Sequence, residues 1–486
     1  MTPDMPVIPP GALPGAPQGV GRASAGAGGV GGAEVALDRT VVLMRDHVGS
    51  AAPDRALVDA LLGVRVLLVA DRANLATAAG QTALVTTGLL AARSGAQLVF
   101  DLPDVPRRGA QPPLTGDRLL GALLETTADL VPGQTALEGL PGGVDADVAV
   151  LIGDTPWVPG RHRAALAIRL SGDAWTGAIA PAAMGGTRWR DEASPFGALA
   201  AGGLAAGEAF KAAMRTLAPA ALAPAVFPRF FAPVASASVA LAPPGTPAPS
   251  PLLGAVDFVS GGAITQAALF ALARIADVRA TARVIEPDVN DLTNVNRYAL
   301  LRRSRVGLRK VDDLAAQAAA ETLGGITVTP VPLRYDETTE AVLAPLAPAV
   351  LVGVDHIPTR WAVQRAVQRA VQRAVQRTRP SWLGVGATDH YLAVASFHRH
   401  GTACAGCLHP TDAAGGGVLP TLAVVSHWAG LWLAALFARY AAGVPAPLSA
   451  QSVFSAMLQP DSSGAVWAAP VPHHDDCPVR CRAESA

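Results

Sequence analysis

The stretch from Val256 to Lys310 constrains the fold more tightly than any other part of the chain. Val256–Val259 is a short apolar run, Ser260-Gly261-Gly262 is a turn, and Ile264–Ile275 carries apolar residues at helical spacing. Arg283-Val284-Ile285 is a second apolar run, closed by Glu286-Pro287-Asp288. This order predicts a strand, a turn, a helix and a parallel strand, with Gly261 and Gly262 letting backbone amides approach a ligand at the helix N-terminus. Such a geometry suits phosphate. Glu286 and Asp288 fall about 20 residues on, where folds of this kind hold a ribose hydroxyl.

A full dinucleotide fingerprint has three spaced glycines, and here Val259 and Ile264 stand at flanking positions. Three further motifs reinforce the bend: Asn294-Val295-Asn296-Arg297, then Gly307-Leu308-Arg309-Lys310, then Val350–Asp355 leading into Thr359-Arg360. In this ordered series the sequence resembles the ThiF/MoeB/HesA family, adenylyltransferases that activate ubiquitin-like and sulfur-carrier proteins. The resemblance runs from Leu253 to Cys481. It implies that Gly261 and Gly262 line the ATP phosphates, that Glu286 meets the ATP ribose, and that Asp288 and Asn294 belong to the same nucleotide site. It further implies that Arg297 and Lys310 are cations on the phosphates and that Asp355 holds Mg²⁺. The departures are the two absent loop glycines, Glu286 in place of the usual Asp, and His356 where Asn usually follows the magnesium ligand.

The four cysteines form two short-spaced pairs, Cys404/Cys407 and Cys477/Cys481. Such pairs suit a tetrahedral zinc knuckle, because each loop can turn both sulfurs toward one ion. Two disulfides are the rival reading and need an oxidising compartment. Zinc is favoured, since no basic segment followed by an apolar run opens the chain as an export signal. His473 and His474 precede the second pair and are alternative ligands or exposed residues. A site of four sulfurs leaves no position open for water, so its role is structural. It also leaves no thiol for a thioester.

Between residues 51 and 218 a second α/β pattern precedes the first: strands at Arg65–Val69, Ala96–Phe100, Asp147–Ile152 and Ala164–Arg169, and helices at Ala78–Arg93 and Leu199–Leu217. Its order mirrors the later half, but Ala70-Asp71-Arg72-Ala73-Asn74 replaces the glycine turn and no counterparts of Arg297 or Lys310 are present. It reads as a degenerate copy; an unrelated α/β domain is the alternative. The expected fold is therefore α/β: a Rossmann-like, ThiF-type domain with a zinc knuckle over 253–486, preceded by a degenerate α/β domain. Residues 1–50 read as a disordered Gly/Pro/Ala tail and lead-in. Residues 219–252 read as a Pro/Ala-rich linker with Phe227, Phe230 and Phe231 as anchors. Ala-Val-Gln-Arg recurs four times over Ala362–Arg377, which places Arg365, Arg369, Arg373 and Arg377 on a drifting ridge of a solvated helix or, alternatively, of a grip for an acidic partner.

Lys plus Arg and Asp plus Glu number 38 each, so the formal net charge is zero and non-specific attraction to nucleic acid is disfavoured. Thr421–Ala442 is the longest apolar stretch, but Ser426, His427 and Arg439 interrupt it, which favours a buried helix over a membrane span. The resemblance implies a cytoplasmic, ATP-, Mg²⁺- and Zn²⁺-dependent adenylyltransferase, acting as a homodimer or an intrachain pseudo-dimer. Its partner would be a ubiquitin-like or sulfur-carrier protein, or the precursor peptide of a natural product. The competing expectation is a catalytically decayed scaffold that binds a peptide or protein.

Overall fold

The computed structural model describes residues 30–48, 52–139, 143–217, 227–373, 382–399, 401–412, 420–444, 448–458 and 466–481. Two sheets organise the chain. The first comprises β1 (Arg65–Val69), β2 (Gln97–Asp101), β3 (Ala136–Glu138), β4 (Val144–Ile152), β5 (His162–Gly172), β6 (Thr176–Pro181) and β7 (Ala237–Ala240), in the order β3-β2-β1-β4-β5-β6-β7. The second comprises β8 (Leu252–Val259), β9 (Arg279–Ile285), β10 (Gly325–Val331), β11 (Ala349–Val352), β12 (Trp382–Asp389), β13 (Leu392–Arg399), β14 (Ala450–Ser455) and β15 (Val466–Pro470). Its order is β10-β9-β8-β11-β12-β13-β14-β15. In each sheet the first five strands are parallel and the remainder antiparallel. The two halves therefore repeat one topology, as the mirrored order of apolar runs suggests.

The central strands are apolar without alternation because helices cover both faces. All four residues of β11 are buried, for example. Helix Ala78–Arg93 packs on Phe196–Arg215 in the first half, and Ala263–Leu272 packs on Ala423–Ala441 in the second. Ala423–Ala441 also packs on both helices of the first half, so a single apolar core runs through the two halves. Gly430 lets Ala423–Ala441 approach Ala263–Leu272 closely: a Cβ there would lie 2.4 Å from Ala267 Cβ and 2.6 Å from the Ile264 carbonyl. Among the described residues, no helix is long and apolar enough to cross a membrane.

Three segments differ from expectation. Part of the tail and lead-in is helical: Val30–Ala36 and Asp38–Val48 form helices, and Leu37 between them is buried with Val41, Leu43 and Met44 of the second. These few large side chains sit at helical spacing and find a ready-made apolar groove, so tertiary burial offsets the cost of ordering them. Residues 1–29 lie outside the described residues. Within the expected linker, Phe227–Phe230 is a helical turn and Ala237–Ala240 adds the seventh strand to the first sheet. Phe227 and Phe231 are buried there.

The first two Ala-Val-Gln-Arg units are packed rather than solvated. They lie in helix Ile357–Arg373 with Val363, Gln364, Val367 and Gln368 buried. Arg365 pairs with Glu337 at 2.8 Å and Arg369 with Glu340 at 2.5 Å. A four-residue repeat drifts slowly enough that two successive valines still face the same core. Arg377 lies outside the described residues, as does the side chain of Arg373.

Candidate active site and cysteine cluster

The strand order of the second sheet reverses between β8 and β11, and in open α/β sheets ligands bind beyond the carboxyl ends at such a point. A cavity of about 780 Å³ opens there. Its lining includes Gly262, Glu286, Asp288, Asn294, Arg297, Lys310 and Asp355. Residues spread over nearly a hundred positions thus meet because β8, β9 and β11 end side by side.

The bend after β8 is tied together by its own polar groups. Ser260 has a positive φ of 107°, unusual for a residue with a side chain. Its hydroxyl accepts from the Gly262 amide at 2.9 Å and donates to Glu286 Oε2 at 3.3 Å. The Gly261 amide donates to the same carboxylate oxygen at 3.0 Å. A side chain at Gly261 would be tight, since a Cβ would stand 3.2 Å from Glu286 Cγ and 3.3 Å from Lys310 Cβ, and both neighbours would have to give by a few tenths of an ångström. Gly262 then caps helix Ala263–Leu272, and the helix N-terminus faces the cavity through Gly262, Ala263 and Ile264. Val259 and Ile264, which stand where the family has glycine, are core residues.

Lys310 opens helix Lys310–Ala319. Its Nζ lies 3.0 Å from Asp288 Oδ2 and 3.6 Å from Glu286 Oε1. Burial works against the ammonium, but Tyr298, Glu286 and Asp288 more than offset it and hold the pKa above the ordinary lysine value. The Tyr298 ring lies between the two expected cations, 5.8 Å from Lys310 Nζ and 5.4 Å from Arg297 Cζ, within range of cation–π attraction. Burial lowers the Arg297 guanidinium to about 10, so it stays charged at neutral pH. Arg297 Nη1 donates to Asn296 Oδ1 at 3.2 Å and to the Thr293 carbonyl.

Asp355 is exposed in the turn after β11. Arg360 pins that turn, donating to the Val354 carbonyl from Nε at 3.1 Å and from Nη2 at 2.8 Å. Its Nη1 lies 3.0 Å from His409 Nε2. His356 Nδ1 is 3.0 Å from Thr359 Oγ1, so the residue that replaces asparagine is engaged within its own turn.

Two cations of the cavity, and the Tyr298 ring, escape the sequence reading. Arg39 comes from helix Asp38–Val48, in the stretch read as lead-in, and Arg334 lies just past β10. No local pattern marks either one, because only the packing of distant elements brings them to the cavity. With Arg297, Lys310 and Arg360 they make the lining rich in cations against Glu286, Asp288 and Asp355. That balance suits a polyanion.

The equivalent place in the first half is filled by protein. Asn74, fully buried, donates to Asp154 Oδ1 at 2.8 Å and accepts from the Trp189 amide at 3.1 Å. Asp71 caps the short helix Arg72–Leu75, where the other half has its glycine bend. Asp154 also pairs with Arg188 at 3.1 Å.

Cys404, Cys407, Cys477 and Cys481 are buried, with their sulfurs all within 4.8 Å of one another. Cys404–Cys477 and Cys407–Cys481 are 3.4 and 3.3 Å apart, and the pairs within each loop are 4.0 Å apart. These separations bracket the edge of about 3.8 Å of a tetrahedron with zinc–sulfur bonds of about 2.3 Å. They are too long for disulfides, and the four are free thiols. Burial, followed by the neighbouring cysteines, holds the Cys404 thiol far above its usual range, and burial with Cys407 raises Cys481 to about 12. A cation at the centre would supply the charge that four thiolates need. His473 Nδ1 lies 3.7 Å from Cys481 Sγ, on the exposed side of the cluster.

Sheet order, switch-point cavity and cysteine cluster together define a Rossmann-like domain carrying a zinc-knuckle geometry. The carboxyl-terminal half is a ThiF-family domain, matched over residues 270–476. Residues 65–228 match the BilD N-terminal domain. A search of the curated proteins returns no match. Among solved structures, E. coli MccB with succinimide is similar at 19% identity and a TM-score of 0.37, covering 46% of this chain and 66% of that one. E. coli MccB with MccA is similar at 16% identity and 0.38, covering 64% and 97%. PaaA is similar at 14% identity and 0.34, covering 45% and 64%.

Proposed function

We propose that this chain is an ATP- and Mg²⁺-dependent adenylyltransferase that activates the C-terminal carboxylate of a small protein or peptide. The observation that carries the reading is the convergence of the Gly262 bend, Arg297, Lys310 and Asp355 on one cavity at the switch point of a ThiF-family domain. A substrate carboxylate oxygen attacks the α-phosphorus of ATP, the bond from that phosphorus to the bridging oxygen breaks, and pyrophosphate leaves. The chain's work is placement and charge neutralisation. Amides at the start of helix Ala263–Leu272 meet phosphate oxygens, and Arg297, Lys310 and Arg39 face the charge that accumulates on the leaving group. Glu286, fixed by Gly261, is placed for the ribose. Mg²⁺, held by Asp355, would neutralise phosphate charge when bound.

The substrate class is a ubiquitin-like or sulfur-carrier protein, or a precursor peptide. All four cysteines lie buried in the cluster, so no thiol remains for a thioester and the reaction ends at the acyl adenylate. The cluster would hold zinc and fasten residues 477–481 to the loop at Cys404, a structural task. The repeated sheet topology fits an intrachain pseudo-dimer, in a cytoplasmic protein. The scaffold alternative draws on one observation: Glu286 and Arg297 are already engaged with protein groups.

ATP–pyrophosphate exchange separates the two. Exchange that depends on a carboxylate-terminated partner and vanishes in Asp355→Ala supports adenylation. Partner binding with no exchange under any partner supports the scaffold.

A further inference from the structure

The first half, residues 51–218, lacks a glycine bend and its described residues lend no side chain to the other half's cavity, yet it holds a segment that does. Arg93, the last residue of helix Ala78–Arg93, is fully buried. Its Nη1 donates to the Val295 carbonyl at 2.7 Å, and its Nη2 donates to the carbonyls of Ala299 at 2.9 Å and Leu301 at 2.8 Å. These three carbonyls bracket Arg297 and Tyr298. Asn296, inside the bracket, donates to Thr40 Oγ1 at 3.0 Å while its Oδ1 receives Arg297 Nη1. The Leu300 amide donates to Gln266 Oε1 at 3.2 Å, and Gln266 Nε2 donates to the Gly261 carbonyl at 3.2 Å. The segment's far end is held too, by the Arg303 amide on the Asp129 carbonyl at 2.7 Å and the Ser304 amide on Asp129 Oδ1 at 3.0 Å.

We propose that Arg93 is a positioning residue for the nucleotide site: through it the first half sets the backbone of residues 295–301, and with it the placement of Arg297 and Tyr298. A buried guanidinium is costly, and its forked donors suit it to reach three carbonyls from one side chain. Burial brings its pKa down to about 9, which leaves it protonated at neutral pH. A structural filler of the same volume would need no such fork. The nucleotide part of this proposal rests on the adenylation reading, while the ordering of residues 295–301 does not.

The test uses the full chain carrying Arg93→Met and Arg93→Lys. In Arg93→Met, amides of residues 294–301 exchange about tenfold faster or more while those of β8 and β9 keep their protection. In the exchange assay KM for ATP rises about tenfold or more with kcat within about threefold, and Arg93→Lys recovers part of both. Thr40→Val, which removes the Asn296 tether together with Thr40's own bond to the Thr421 carbonyl, shifts the same two readouts in the same direction by less, and Arg93→Lys decides the matter if Arg93→Met does not fold. Unchanged protection over 294–301, or acceleration spread evenly through both halves, overturns the proposal. If the wild type gives no ATP exchange, the adenylation reading fails by itself and the amide exchange still decides the role of Arg93.

Discussion

The Lys310 ammonium sits 3.0 Å from the Asp288 carboxylate and 3.6 Å from that of Glu286, closing the floor of the cavity. Lys310 and Glu286 are both buried. Lys310→Ala would therefore act twice. Loss of a buried cation beside Glu286 is expected to destabilise the fold by about 1–3 kcal/mol, less than a fully enclosed pair because Asp288 is exposed. Loss of phosphate charge neutralisation lowers kcat/KM for ATP by about a hundredfold or more. Chemical denaturation and exchange kinetics on the same preparation check the two effects.

Asp355 makes the opposite prediction for stability. It is exposed and contributes no buried pair, so Asp355→Ala should change stability by less than about 0.5 kcal/mol. Exchange should nonetheless fall by about a hundredfold or more, and added Mg²⁺ should cease to tighten ATP binding. Titrations with and without Mg²⁺ on wild type and variant provide the measurement.

For the cysteine cluster, elemental analysis of the purified chain should find one zinc per molecule, removed by a strong chelator. Cys404→Ser should shed the metal and lower the melting temperature, consistent with structural zinc coupling that reaches about 10 kcal/mol in small domains. A variant with wild-type zinc content and melting would contradict the assignment.

His427 is fully buried at the junction of the halves, its Nε2 on the Leu199 carbonyl at 3.2 Å, and burial lowers its pKa to about 4. The folded state thus keeps it neutral where the unfolded chain would bind a proton. Stability from this residue is complete above about pH 6.5, falls as pH drops toward 4, and is then constant, a total of up to about 3 kcal/mol. Denaturation curves at pH 7 and pH 4.5 should show a smaller acid loss for His427→Gln than for wild type.

The second half was legible in the sequence because its chemistry is local: the Gly261-Gly262 bend, the acid that ends β9, and the two cysteine pairs each carry a spacing that physical chemistry explains. The helix Ala78–Arg93 and strand β1 were legible for the same reason, as apolar periodicity. Arg39 and Arg334 were not, since nothing near either residue indicates that the packing of distant elements brings it to the cavity. The helices at 30–48 and strand β7 were missed because Gly-, Ala- and Pro-rich segments have weak intrinsic preference, and burial against a distant surface decides their structure. The Arg93 contacts to residues 295–301 span some two hundred positions and leave no local trace at all.

Calorimetric titration of the full chain with a non-hydrolysable ATP analogue and Mg²⁺ bears most directly on the site. One analogue should bind per chain, in the second half alone: Arg297→Ala and Lys310→Ala should each weaken it by about tenfold or more, and Asn74→Ala should leave it unchanged. Absence of binding at millimolar analogue, or binding indifferent to Arg297 and Lys310, would contradict the account.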